Sequence, residues 1–282
     1  MFLYKFYMLL FALKIATCNC HSEVNKSGFQ RAKKEYTITQ SGRMPTCINE
    51  NSGIAKAWQE NYYWTINDSG GNTELYMVGE QGRVFDTLFV NDSQNIDWED
   101  LAKDNKGNIY IGDFGNNNQN RKDLTIYKFK NGKTEKITFH YADQDHFPAR
   151  QRIFDCEAFF WYEGRLYLFS KDWTQKHQTQ LYSIPDQAGN YVLLPEQSIF
   201  LKSPVTSADI SPNGKEFALL SYGKIYIFEV NAGKIDFSKP KSCIKIGRNQ
   251  MEAIAYVNDT DLIMTNEQRR LYKVTRKDKL RE

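Results

Sequence analysis

The sequence predicts an all-β fold, a single β-propeller of five blades, on three observations. A short aromatic strand pattern recurs five times: Leu75-Tyr76-Met77-Val78, Ile126-Tyr127-Lys128-Phe129, Leu181-Tyr182-Ser183-Ile184, Ile225-Tyr226-Ile227-Phe228 and Leu271-Tyr272-Lys273-Val274. The copies start 51, 55, 44 and 46 residues apart, a period that suits a four-stranded blade. Each copy follows two further strand-like runs joined by a polar turn, such as Asp104-Asn105-Lys106-Gly107 or Pro212-Asn213-Gly214. Finally, the last unit runs out of chain before its fourth strand, whereas residues 35–39, Glu-Tyr-Thr-Ile-Thr, alternate like a strand ahead of the first unit. That N-terminal strand is expected to complete the fifth blade and close the ring, which removes two exposed sheet edges.

The strands of each unit are lettered A to D in chain order. The A runs begin Ser52-Gly53-Ile54-Ala55, Glu99-Asp100-Leu101-Ala102, Glu157-Ala158-Phe159-Phe160, Ser207-Ala208-Asp209-Ile210 and Glu252-Ala253-Ile254-Ala255. The B runs are expected at 62–67, 109–113, 166–170, 216–221 and 261–265. The repeated Tyr and its aliphatic neighbours are expected to pack between blades. The interval from Glu99 to Glu157 is longer than the rest, with the excess at 138–152 around His140 and His146; a sixth blade there is the alternative to a long connection.

Composition narrows the setting. The chain has 282 residues, 14% of them aromatic, and a net charge of +3 from 37 basic and 34 acidic residues. So balanced a chain gives no argument for nucleic acid as a partner. Residues 1–20 read as a secretory signal: an early Lys5, an apolar run and small residues at the end. Ile15-Ala16-Thr17-Cys18 resembles a lipobox, so Cys18 is a possible lipid anchor and plain cleavage the alternative. Residues 21–34 read as a polar tether and 35–282 as the propeller, a monomer that is secreted or membrane-anchored outside the cytoplasm. Among the five cysteines, Cys47 with Cys243 is the pair best placed for a disulfide, and buried free thiols are the ordinary alternative.

Propeller geometry brings the starts of the A strands to one mouth of the central channel. Ser52, Glu99, Glu157, Glu252 and a fourth-blade residue are expected to meet there. That fourth residue is Thr206 or Ser207, depending on which blade sets the count. Several carboxylates around one axis call for protons or a cation. Oxygen donors without His or Cys suit calcium; the competing reading has each glutamate capping a neighbouring blade or pairing with a nearby Lys or Arg. The B–C loops supply a second tier with Asp68, Asp113, Arg121, Lys171 and Asp172. If the protein is an enzyme, the aspartates are the candidate general bases, and Arg121 and Lys171 the groups that hold developing negative charge.

Residues 64–71, Trp-Thr-Ile-Asn-Asp-Ser-Gly-Gly, and the run Asp97-Trp98-Glu99-Asp100-Leu101-Ala102 leading to residues 109–117 resemble a family of secreted bacterial propellers without a settled activity. The Ser, Glu, Glu, Ser, Glu order at the strand A starts is similar, more distantly, to the calcium-activated nucleotidases (apyrases), five-bladed propellers with calcium on the axis. That resemblance implies Ser52, Glu99, Glu157, Ser207 and Glu252 as calcium ligands. The apyrases' nucleotide-handling segments have no counterpart here. The function expected is a calcium-centred module of the cell envelope that binds a small molecule, glycan or protein at the B–C loop face. The alternative is a calcium-dependent hydrolase of a phosphate ester or lactone.

Overall fold

A computed structural model describes residues 19–174, 176–247 and 249–277. Five antiparallel sheets form a closed ring. The innermost A strands are Asn51–Lys56, Trp98–Lys103, Cys156–Tyr162, Val205–Ile210 and Met251–Tyr256, and each contacts the A strand before and after it around the circle. The expected B strands lie within a residue of their predicted bounds. Tyr36–Arg43 pairs antiparallel with Arg270–Arg276, so the N-terminal strand is the fourth strand of the fifth blade.

Why these runs become blades is visible in the core. Each of the five seams between blades holds its own apolar cluster. The recurring tyrosines sit in these seams: Tyr76, Tyr127, Tyr182 and Tyr226 are buried, and Tyr272 is partly so. Phe217 stacks on Phe228 with ring centroids 4.7 Å apart. Each large apolar side chain fully buried in a seam contributes about 1.5–3 kcal/mol, and with both sheet faces covered the strands read as nearly continuous apolar runs.

The long 138–152 stretch holds no sixth blade. The D strand of blade 2, Lys133–Tyr141, takes up its start. The remainder lies over the B–C loop of that blade, where Ala149 N donates to Gln119 O at 2.9 Å and Phe154 N to Gln119 Oε1 at 2.7 Å. Two blades gain a fifth strand. Gly189–Leu193, from the C–D connection of blade 3, pairs parallel with the outer edge of blade 2. Gln30–Arg31 does the same for blade 4.

Residues 21–34 are not a tether. His21–Ser27 forms a helix, α1, ended by Gly28 at φ +82°, and Phe29 is buried against Tyr226 and Phe228. Cys20 is bridged to Cys243, with Cα atoms 5.9 Å apart. Cys47, the partner for Cys243 that the sequence placed best, is instead a free, exposed thiol, and Cys156 is a free, buried one. Cys20, the last residue of the expected leader, is packed against the folded domain through this bridge. Residues 1–18 of the expected leader, Cys18 included, lie outside the described residues. Among the described residues no helix is long and apolar enough to cross a membrane.

The ring is also sewn together by side chains. Ser52 Oγ donates to Trp98 O at 2.7 Å, and Thr206 Oγ1 to Met251 O at 2.9 Å. Asp209 Oδ2 accepts from Tyr256 N at 2.7 Å. Burial pushes the Asp209 carboxyl up to about 7, against the pull of Tyr256 N and the Lys103 ammonium. Its unfolded counterpart loses its proton near pH 4. The folded state therefore holds an extra proton between about pH 4 and 7, and this contribution to stability is lost as pH rises through 7. Asp209→Asn keeps an acceptor for Tyr256 N. Its thermal unfolding midpoint is expected to fall less than the wild type's between pH 5 and pH 8; parallel curves for the two proteins would contradict the assignment.

Candidate functional site

Every A strand carries a register shift at its start, between Asn51 and Ile54, Trp98 and Asp100, Cys156 and Ala158, Val205 and Ser207, and Met251 and Ala253. A bulge re-aims the side chain it displaces. Here it turns Ser52, Glu99, Glu157, Thr206 and Glu252 into one cavity of about 590 Å3. Convergence at a single mouth is thus as the sequence implied. Thr206 takes the fourth place. Ser207 points inward, donating to Asp100 Oδ1 at 3.0 Å and accepting from Ile254 N at 3.1 Å.

One step below the mouth the ring is Gly53, Asp100, Ala158, Ser207 and Ala253. Four of these are small, and Asp100 fills the space they leave. Its Oδ1 accepts from Leu101 N at 2.9 Å as well as from Ser207. Its Oδ2 accepts from Phe159 N at 3.3 Å and Ala208 N at 3.1 Å. The side chain links blade 2 to blades 3 and 4. Burial holds the carboxyl well above its usual range, and these four donors act against that.

The competing structural readings account for part of the ring. The Ser52 and Thr206 hydroxyls donate to backbone carbonyls of the next blade. Glu157 is paired with Lys171, and both side chains are buried. The Lys171 ammonium lies 4.8 Å from the Trp173 ring centroid and 5.4 Å from that of Tyr222, and Glu157 holds its pKa well above the ordinary lysine value. Lys171 is thus a fixed positive charge inside the mouth.

Glu99 differs from the rest of the ring. It is 7% exposed, faces the cavity, and its carboxylate has no hydrogen-bond or ion-pair partner among the described residues. With Asp68 and Asp97 it forms a group of three acidic residues in which one carboxylate oxygen from each lies within 4.8 Å of the other two. Calcium with oxygen ligands at about 2.4 Å can bridge that span. Burial first, and then the neighbouring carboxylates, push all three groups up, Asp97 to about 7 and Glu99 well above its usual range. Gly115 leaves the room: a Cβ there would sit 2.1 Å from Glu99 Oε1 and 2.4 Å from Asp97 Oδ2. The donors are all oxygen, which fits a hard divalent cation. The place they define is on the blade 1 and blade 2 side of the mouth, and of the six residues expected around a metal only Glu99 belongs to it.

Of the second tier, Asp68 and Lys171 line the cavity, while Asp113, Arg121 and Asp172 do not. Asp113 is buried and accepts from Asp97 N at 2.8 Å and Arg121 Nη1 at 3.1 Å. Arg121 also donates to Gly115 O at 3.0 Å and Asp113 O at 3.2 Å. This knot sets the backbone that carries Asp97 and Gly115. Asp172 caps its own loop, accepting from Thr174 N and Gln178 N, both at 2.6 Å. In this structure these three side chains hold their own loops and stand outside the cavity lining.

Sequence reasoning missed Asp97 and Asp100 as site residues. Asp97 immediately precedes the strand from which the ring was counted. Asp100 stood out in one respect, as a carboxylate where the other blades have Gly, Ala or Ser. The rest of the cavity lining includes Trp173, Tyr222, Gln250, Glu252 and Glu267. Trp173 Nε1 donates to Asp155 Oδ2 at 2.6 Å, and burial with the nearby Glu267 raises Glu252 to about 8 despite Lys171.

No protein-family description matches this chain, and no curated protein does. Solved structures do. A chain in the crystal structure of a nidogen/laminin complex aligns with a TM-score of 0.50 at 12% identity, over 82% of this chain and 84% of that one. A gluconolactonase from Xanthomonas campestris aligns with a TM-score of 0.51 at 10% identity, over 91% of this chain and 93% of that one. Identities this low show a shared propeller fold and nothing finer.

Proposed function

We propose that this protein is an extracytoplasmic binding module that holds a divalent cation, calcium by its donor chemistry, at Asp68, Asp97 and Glu99. It takes a small oxygen-rich ligand such as a glycan into the mouth beside that ion. One observation carries the reading: Glu99 is buried, has no hydrogen-bond or ion-pair partner among the described residues, and lines the cavity with Asp68, while Asp97 stands close to both. Three carboxylates this close need protons or a metal ion. Lys171 is paired with Glu157, and the pull of Lys171 and Arg121 on the cluster does not offset burial and mutual repulsion, which still raise all three carboxyls. The Cys20–Cys243 bridge supports an oxidising compartment outside the cytoplasm.

Calcium at a hundredfold excess over its dissociation constant stabilises a folded protein by about 2.7 kcal/mol, or roughly 5–10 °C at this chain length. The wild type is expected to gain that much over a chelator-treated sample. Glu99→Gln, which removes a buried charge and keeps the shape, is expected to fold and to gain nothing. Identical midpoints for wild type with calcium and with chelator would overturn the proposal.

A second reading, a calcium-dependent hydrolase of a phosphate ester or lactone, is favoured by Glu252. Its carboxyl, raised to about 8, keeps a proton to donate near neutral pH on the same cavity wall. Turnover of lactone or phosphoester probes that needs calcium and is lost in Glu252→Gln would select the hydrolase over the binding module.

A further inference from the structure

A second cavity, of about 660 Å3, lies on the outer side of the ring where blade 5 meets blade 1. Three arginines line it from three segments: Arg43 at the end of the N-terminal strand, Arg83 after the C–D turn of blade 1, and Arg269 in the B–C turn of blade 5. Backbone bonds fix this convergence. Arg43 N donates to Gln81 O at 3.2 Å, and Met44 N to Arg269 O at 2.7 Å. Gly82, at φ +87°, permits the approach, since a Cβ there would stand 2.5 Å from the Arg43 carbonyl carbon.

None of the three guanidinium groups has a carboxylate or hydrogen-bond partner among the described residues. Arg83 rests over the Phe85 ring at 5.2 Å. Glu80, the acid on the same turn, is taken by Lys273 at 2.6 Å. Arg270 stands directly across the strand pair from Arg43, and like charges so placed repel. By contrast Arg121 and Arg165 both have side-chain partners. Concentrated positive charge left uncompensated over an apolar floor of Met44, Pro45 and Val84 suits an anion attached to a carbon skeleton. A guanidinium fork matches the paired oxygens of phosphate or sulfate.

We propose that this seam is a binding site for a phosphate or sulfate group, separate from the axial mouth. The group comes either from a small ester or from an anionic lipid headgroup. The test titrates full-length protein with inorganic phosphate and with sulfate by calorimetry. Alongside, it measures co-sedimentation with phosphatidylglycerol vesicles and with phosphatidylcholine vesicles. Saturable binding of the free anions identifies the small-ester source; sedimentation with phosphatidylglycerol alone identifies the headgroup. Either supports the site, provided that Arg43→Gln with Arg269→Gln weakens it at least tenfold and Arg165→Gln leaves it unchanged. Because these side chains are unpartnered, the double variant is expected to keep its unfolding midpoint and its calcium response. Absence of binding to every probe, or binding equal in the double variant and the wild type, would overturn the proposal.

Discussion

Asp100→Asn is expected to destabilise the protein by about 3 kcal/mol or more, although it changes one oxygen to a nitrogen. Each carboxylate oxygen accepts a backbone N–H: Oδ1 from Leu101, Oδ2 from Phe159 and Ala208. An amide turned either way sets its NH2 against at least one of those donors. A buried donor left unmatched costs about 1–3 kcal/mol, and the two donors now facing each other add repulsion. Asp100→Ala strands all three N–H groups and the Ser207 hydroxyl around a small void. Urea unfolding measures both variants. A loss below about 1 kcal/mol for Asp100→Asn would show that the channel plug is dispensable.

Lys224→Met is expected to cost about 3–5 kcal/mol, the usual penalty for a buried charge left without its partner. Lys224 and Glu23 are paired with both side chains fully buried, and the Tyr226 hydroxyl and Lys202 N donate to the same Glu23 oxygen at 3.0 and 3.2 Å. This pair, with the Cys20–Cys243 bridge, clasps α1 to blade 4. Exchanging both members, Glu23→Leu with Lys224→Met, is expected to recover most of the loss, because replacing a whole buried pair with apolar groups is often neutral. Equal instability of the single and double variants would locate the cost in packing and not in charge.

The propeller was legible because its evidence is periodic and local. A Tyr flanked by aliphatic residues at each C strand, and a polar turn in each blade, repeat whatever the rest of the chain does. The N-terminal closure followed from counting strands. The clasp was not legible for a physical reason: α1 is a seven-residue polar helix whose ties are a disulfide and a charge pair 201 positions apart. Nothing near Glu23 in sequence distinguishes it from a solvated acid.

At the mouth, residue type and order were sufficient to gather Ser52, Glu99, Glu157 and Glu252, but bulge geometry decided the rest. Thr206 and Ser207 are both hydroxyl residues, and only the register shift between Val205 and Ser207 sends the first outward. Pairing of a ring glutamate with a nearby Lys or Arg was open in the sequence, but which pair forms, Lys171 with Glu157, depends on where a B–C loop folds back. Asp113, Arg121 and Asp172 read as reactive for the same reason: charged loop residues look alike in sequence whether they face a ligand or hold their own loop. Asp97 escaped notice because the ring was counted from the strand, and the cluster begins one position before Trp98.

The ion's position tests the account most directly. Crystals grown with calcium and measured at a wavelength where calcium scatters anomalously are expected to show one peak bridging Asp68, Asp97 and Glu99, with Lys171 still on Glu157. A peak on the channel axis among Glu99, Glu157 and Glu252, or no peak at saturating calcium, would contradict it.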